Sequence, residues 1–212
     1  RYKGFIMGLV KLNDRGVRNA TTFGSLSGGS MTFIKKLTAS SSDTLSFVDG
    51  TSSVVLDNTY KEYMFTFNNM HPEADQPYFQ FNMSVDSGSN YNVAKTTTFF
   101  QAYHDEADTD SGVSYQTSRD LAQGTGAQYL SRQIGNDNDH SVSGYLHLFN
   151  PSSTTFVKHF VATSSNNYGS DSYYMNNYIA GYGNTTSAVD AIQFTMSADA
   201  IDAGDICLYG IN

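Results

Sequence analysis

Apolar and polar side chains alternate with a period of two through most of this 212-residue chain. In YFQFNMSV, Phe79, Phe81, Met83 and Val85 fall on one side, and Tyr78, Gln80, Asn82 and Ser84 on the other. That is the signature of a strand with one face buried, because successive side chains of a strand point to opposite faces. AIQFTM repeats the pattern with Ile192, Phe194 and Met196 inward, and EYMFTF does so with Tyr63, Phe65 and Phe67. The same reading predicts strands over 31–38, 44–48, 92–103, 142–149, 155–163, 173–182 and 205–211. Turn chemistry separates them at Asp49-Gly50, Ser87-Gly88-Ser89-Asn90, Asn150-Pro151 and Ala203-Gly204.

Helical signal is scarce. In SRDLAQGTGAQYL, one helical turn over 120–123 is expected before Gly124 and Gly126 break it. About ten short strands with polar turns imply an all-β fold, an antiparallel β-sandwich of jelly-roll type, over residues 31–212. Residues 1–30 differ: KLNDRGVRNATTFGSLSGGS mixes charge with Gly and Ser and shows no sustained period. It reads as a short N-terminal arm and linker that docks to another component. No internal repeat is visible.

Composition narrows the partners. Charged residues make up only 15% of the chain, below the usual quarter, while 14% are aromatic. The surface is therefore covered largely by Ser, Thr, Asn, Gln and Tyr, which suits neutral, hydrogen-bonding company. Twelve Lys and Arg against 20 Asp and Glu give a net charge of −8, so binding of nucleic acid by phosphate neutralisation is not expected. No run reaches the ~18 apolar residues that a membrane helix needs, so no membrane insertion is expected. GFIMGLV is too short for a secretion signal, and Arg1 with Met7 behind it hints that a segment precedes. The single cysteine, Cys207, lies in DICLYGI and reads as a small hydrophobe in a buried strand.

Catalytic templates are absent: there is no H-E-x-x-H, no G-x-S-x-G, no P-loop and no Rossmann glycine set. The chain is expected not to be an enzyme and to carry no cofactor. Two acidic knots, HDEADTDSG and GNDNDH, supply the residues a cation would use, Asp108, Asp110, Asp137 and Asp139. Asp108 to Gly112 has the spacing of half an EF-hand loop but no Glu closes it at the required distance, so solvated loops and no metal are expected, with a calcium or magnesium ion bridging the loops as the alternative. His147 and His159 flank Asn150-Pro151 and could face each other to hold zinc, although a slip of one residue puts them on opposite faces. Surface histidines on a scaffold are the expectation.

NNYGSDSYYMNNYIAGYGN is more informative. With Met175 and Ile179 in the core, Tyr174, Tyr178 and Tyr182 point outward, interleaved with Asn176. Tyr faces stack on sugar rings while Asn amides bond hydroxyls, so the stripe suits a glycan. It suits equally a second copy of the chain, since Tyr is enriched at interfaces. The interface is the expectation, with glycan binding as the alternative.

SSSDTLSFVDG, YKEYMFTFNNMHP, GSNYNV, DLAQGT, IGNDND, LHLFNPSSTTFVKHF and GYGNTTSAVDAIQFTMSADAIDAGDICLYGIN carry a resemblance. From about Met31 to Asn212 the chain resembles a family of virion structural proteins of marine bacteriophages, of the cyanophage and pelagiphage type, often labelled tail-fibre-like. The resemblance implies a β-sandwich module built into a virion, a homo-oligomer and a trimer if it ends a fibre, with no known cofactor. The partners expected beside further copies of the chain are other virion proteins, through the arm, and host surface glycan, after synthesis in the host bacterial cytoplasm. Capsid decoration or a head fibre is the alternative position. A glycan-binding or glycan-cleaving enzyme using Asp108 or Asp137 is the alternative of another class.

Overall fold

The computed structural model describes residues 30–169 and 173–212. They form twelve strands: β1 Met31–Ser42, β2 Leu45–Val48, β3 Glu62–Pro72, β4 Phe79–Ser84, β5 Lys95–Asp105, β6 Ser111–Tyr115, β7 Gln128–Tyr129, β8 Val142–Phe149, β9 Lys158–Tyr168, β10 Tyr173–Gly183, β11 Ala191–Met196 and β12 Ile201–Ile211. One sheet has eight strands in the order β1-β12-β3-β8-β9-β10-β5-β6, and the other has four in the order β2-β11-β4-β7. All pairings are antiparallel. The fold is thus the expected all-β antiparallel sandwich, compatible with a jelly roll but unequally divided between its sheets. The arm, apart from Ser30, lies outside the described residues.

The period-two pattern places the core. Tyr63, Phe65 and Phe67 of β3 and Ile192 and Phe194 of β11 are wholly buried, and Met196 is nearly so. Phe194 of the smaller sheet meets Phe65 of the larger at 5.5 Å between ring centroids, and Phe67 meets Phe79 edge-on at 5.1 Å. Phe81 and Phe160 close the next layer at 5.1 Å. Each fully buried Phe stabilises the sandwich by about 1.5–3 kcal/mol through removal of apolar surface from water.

Several expectations are corrected. Val85 is exposed, because β4 ends at Ser84 and the chain enters a turn in which the Asp86 carboxylate accepts the Asn90 amide at 2.9 Å. Residues 120–123 form no helix. Their backbone bonds go to β5 instead: the Leu121 amide donates to Thr97 Oγ1 at 2.8 Å, and the Thr97 amide donates to Leu121 O at 2.9 Å. Cys207 lies on the outer face and is only partly buried, since Ile206 and Leu208 take the inner positions. Residues 155–157 precede β9, which starts at Lys158 and runs on to Tyr168. Its later inner positions, Ser164 and Asn166, are polar and satisfied by Asn177 Nδ2, which donates to Ser164 Oγ and Asn166 Oδ1 at 3.0 Å each. Hydrogen bonding replaces apolar burial there, and the hydrophobic pattern stops before the strand does.

Candidate functional site

The outer face of the eight-stranded sheet is where the tyrosine stripe stands. Along β10, Met175, Asn177, Ile179 and Gly183 are buried, while Tyr174, Asn176, Tyr178, Ala180 and Tyr182 occupy the opposite face. Tyr178 is opposite Phe100 of β5 and Thr163 of β9; Thr163 is opposite Tyr145 of β8, and Phe100 opposite Tyr115 of β6. The register therefore assembles a lateral row, Tyr145-Thr163-Tyr178-Phe100-Tyr115, across five strands. The Tyr178 and Phe100 rings stack at 4.9 Å and 12°. Asn176 Nδ2 donates to Tyr178 Oη at 3.0 Å, fixing the ring's edge.

Exposure marks this row as unfinished surface. Phe100, Tyr115, Tyr145, Val161 and Tyr174 are each exposed, and Val113 of β6 reaches 74%. Shallow depressions flank the row: one lined in part by His159, Val161 and Tyr182, the other by Tyr145, Thr163, Tyr174 and Asn176. Of the expected residues, the structure brings Asn176 and Tyr178 into contact. Tyr182 stands apart beside His159, at 5.9 Å between rings. Four strand positions separate each tyrosine of the stripe from the next, about 13 Å, so the three form a surface and not one pocket. Phe100, Val113, Tyr115, Tyr145 and Val161 were not singled out by the sequence, because only the register brings them beside Tyr178.

The acidic knots are built as turns. Asp105 accepts the Thr109 amide at 2.8 Å, the Asp110 amide at 2.9 Å and the Thr109 hydroxyl. The Thr109 hydroxyl, followed by the Asp110 amide, holds its carboxyl below the usual value. Asp108 turns away at positive φ and lies 3.2 Å from His104 Nε2. Asp110 accepts the Tyr173 hydroxyl at 3.1 Å. In the second knot, the backbone oxygen of Asp137 lies 3.2 Å from His71 Nε2, and Asp139 lies 3.8 Å from His140. Among the described residues no three His, Cys, Asp or Glu side chains are grouped to hold a metal ion.

His147 and His159 are on neighbouring strands but not opposite each other, since His147 is opposite Val161. His147 Nε2 lies 3.0 Å from Glu62 Oε2 and its ring packs on Phe149 at 4.3 Å. Both histidines therefore belong to the sheet surface. No helix among the described residues is long and apolar enough to cross a membrane. Compared with known proteins, the chain matches no protein-family model, no curated protein and no solved structure.

Proposed function

We propose that this chain is a non-enzymatic structural component of a bacteriophage virion, a self-associating module of the tail fibre that acts in host attachment. The single observation that carries the assembly part is the aromatic row Tyr145-Tyr178-Phe100-Tyr115 with exposed Val113, Val161 and Tyr174 around it. Monomers seldom leave a contiguous apolar patch in water, and aromatic residues are enriched where protein surfaces are buried on each other. Charged residues make up 15% of the chain, and Asp120 accepts the Tyr115 hydroxyl at 2.6 Å at one end of the row. The virion part rests on the family resemblance carried by stretches between Ser40 and Asn212.

Replacing Tyr174, Tyr178 and Tyr182 together by Ser tests the assembly. Sedimentation of the full chain should show a lower oligomer mass for the triple variant, and an unchanged mass would refute the proposed face. Position in the particle is tested by immunogold electron microscopy with antibody raised against this chain. Gold on fibre or tail supports the proposal; gold spread over the shell moves the function to capsid decoration; gold on neither ends the virion reading.

A further inference from the structure

Four strands do not cover eight, and beyond the smaller sheet the inner face of the larger one is covered by the segment after β7, where it has its own chemistry. At the end of β5, β9 and β10 lies a cavity of about 200 Å³ lined by Gln101, Tyr103, Asp110, Arg132, Tyr168, Tyr173 and Met175. No residue of the four-stranded sheet contributes to it. Alternation along the strands aims Gln101 and Tyr103 of β5, Tyr168 of β9 and Met175 of β10 to this side. Arg132 enters from the segment after β7, its guanidinium 4.7 Å from the Tyr168 ring centroid. Tyr103 and Tyr173 meet edge-on at 6.0 Å.

Two polar groups here are left open. Gln101 is only 4% exposed, and its Oε1 has no hydrogen-bond partner. The buried Nε of Arg132 likewise has none. Many buried polar side chains elsewhere reach partners, Lys95, Asn82, Thr97, Gln128 and Ser164 among them, whereas here two open groups of opposite hydrogen-bonding sense line one cavity. A buried carbonyl left without a donor destabilises the fold, so its persistence beside an unpaired guanidinium donor calls for a ligand that supplies both directions of hydrogen bond.

We propose that this cavity is a binding subsite for a single neutral sugar residue. A polyol offers hydroxyls that donate to Gln101 Oε1 and to the Asp110 carboxylate, and oxygens that accept from Arg132. Asp110 retains acceptor capacity beyond its bond from Tyr173, because a carboxylate has about four lone-pair sites. The tyrosine rings provide apolar faces for the C–H side of a pyranose. One cation and one anion cancel, which favours a neutral ring over a charged one. The volume lies below the ~300 Å³ at which sites for drug-sized molecules begin, so it fits one ring and not a chain. The inference stands independently of the virion assignment and places sugar contact away from the outer tyrosine stripe.

The test is saturation-transfer NMR on the full chain with the methyl glycosides of glucose, galactose, mannose and N-acetylglucosamine as probes at millimolar concentration. At least one should receive saturation, and Arg132→Ala should weaken that binding about tenfold or more. Gln101→Leu keeps the volume and removes the carbonyl; it guards against an Arg132→Ala protein that does not fold, and should weaken binding in the same direction. Absence of transfer to all four probes in the folded protein overturns the proposal. So does binding that a folded Gln101→Leu variant retains at full strength.

Discussion

Lys95 Nζ of β5 lies 2.5 Å from Asn82 Oδ1 of β4, tying the large sheet to the small one inside the sandwich. Lys95 is wholly buried, and its ammonium also donates to Val93 O at 2.8 Å. The partners are neutral, and burial pushes the ammonium down to about 8. A cation held without a carboxylate costs stability while it stays charged.

The sign of the pH effect follows. The folded value lies below the unfolded 10.5, so between about pH 8 and 10.5 the unfolded chain holds more protons, and stability rises with pH across that window. Tyr63 acts oppositely above pH 10, since burial raises its hydroxyl, so the comparison belongs below that point. Between about pH 7 and about pH 9.5, wild type should gain about 2 kcal/mol relative to Lys95→Met in urea unfolding. Asn82 Oδ1 keeps the Met83 amide in that variant, at 2.9 Å. Parallel pH profiles for the two proteins would show that Lys95 is not titrating in the core.

Phe194 stands at the meeting point of four rings, with Phe65 at 5.5 Å, Phe79 at 5.8 Å, Phe47 at 6.3 Å and Phe81 at 6.4 Å. Phe194→Ala should cost about 3–5 kcal/mol, because rings from both sheets cannot collapse into the space together. The urea midpoint should fall with an unchanged slope. A cost below about 1 kcal/mol would mean that the two sheets are not packed through this ring.

Gly144 shows where backbone meets backbone. A Cβ there would sit 2.2 Å from Thr163 O and 2.7 Å from Ser164 Cα, and β9 is held on its far side by β10. Gly144→Ala should destabilise by about 3 kcal/mol. At Gly126 a Cβ meets nothing within 4 Å, so Gly126→Ala should be neutral or stabilise by up to about 1 kcal/mol through the unfolded chain. Thermal melts of the pair check both; equal melting temperatures would contradict the packing of β8 on β9.

Asp105 organises the loop that delivers Asp110 to the cavity. Its carboxyl is held below the ordinary 3.8, so the stabilisation it provides is present above that value and is lost as pH falls through the folded one. The amide proton shifts of Thr109 and Asp110 should titrate together below pH 3.8, and Asp105→Ala should abolish that titration. The same variant should weaken glycoside binding. Amide shifts that stay constant in wild type down to pH 2 would exclude the capping role.

The inward sets Tyr63, Phe65 and Phe67, and Ile192, Phe194 and Met196, were legible because a half-buried strand writes its two faces into every second residue. β6 was not, since Ser111–Tyr115 is an edge strand with no buried position, and β7 spans only two residues. The missing helix at 120–123 reflects backbone bonds to β5 that no local propensity encodes.

By itself the sequence determined strand character, the all-β class and the shared outward face of Tyr174, Tyr178 and Tyr182, because a period of two is a local property of the chain. Which residues stand beside them was decided by the register of β8, β9, β10, β5 and β6, through hydrogen bonds between strands far apart in sequence. That Gln101 and Arg132 line one cavity was decided by the pairing of β5, β9 and β10 and by the segment after β7, which come together only once the sheets are assembled.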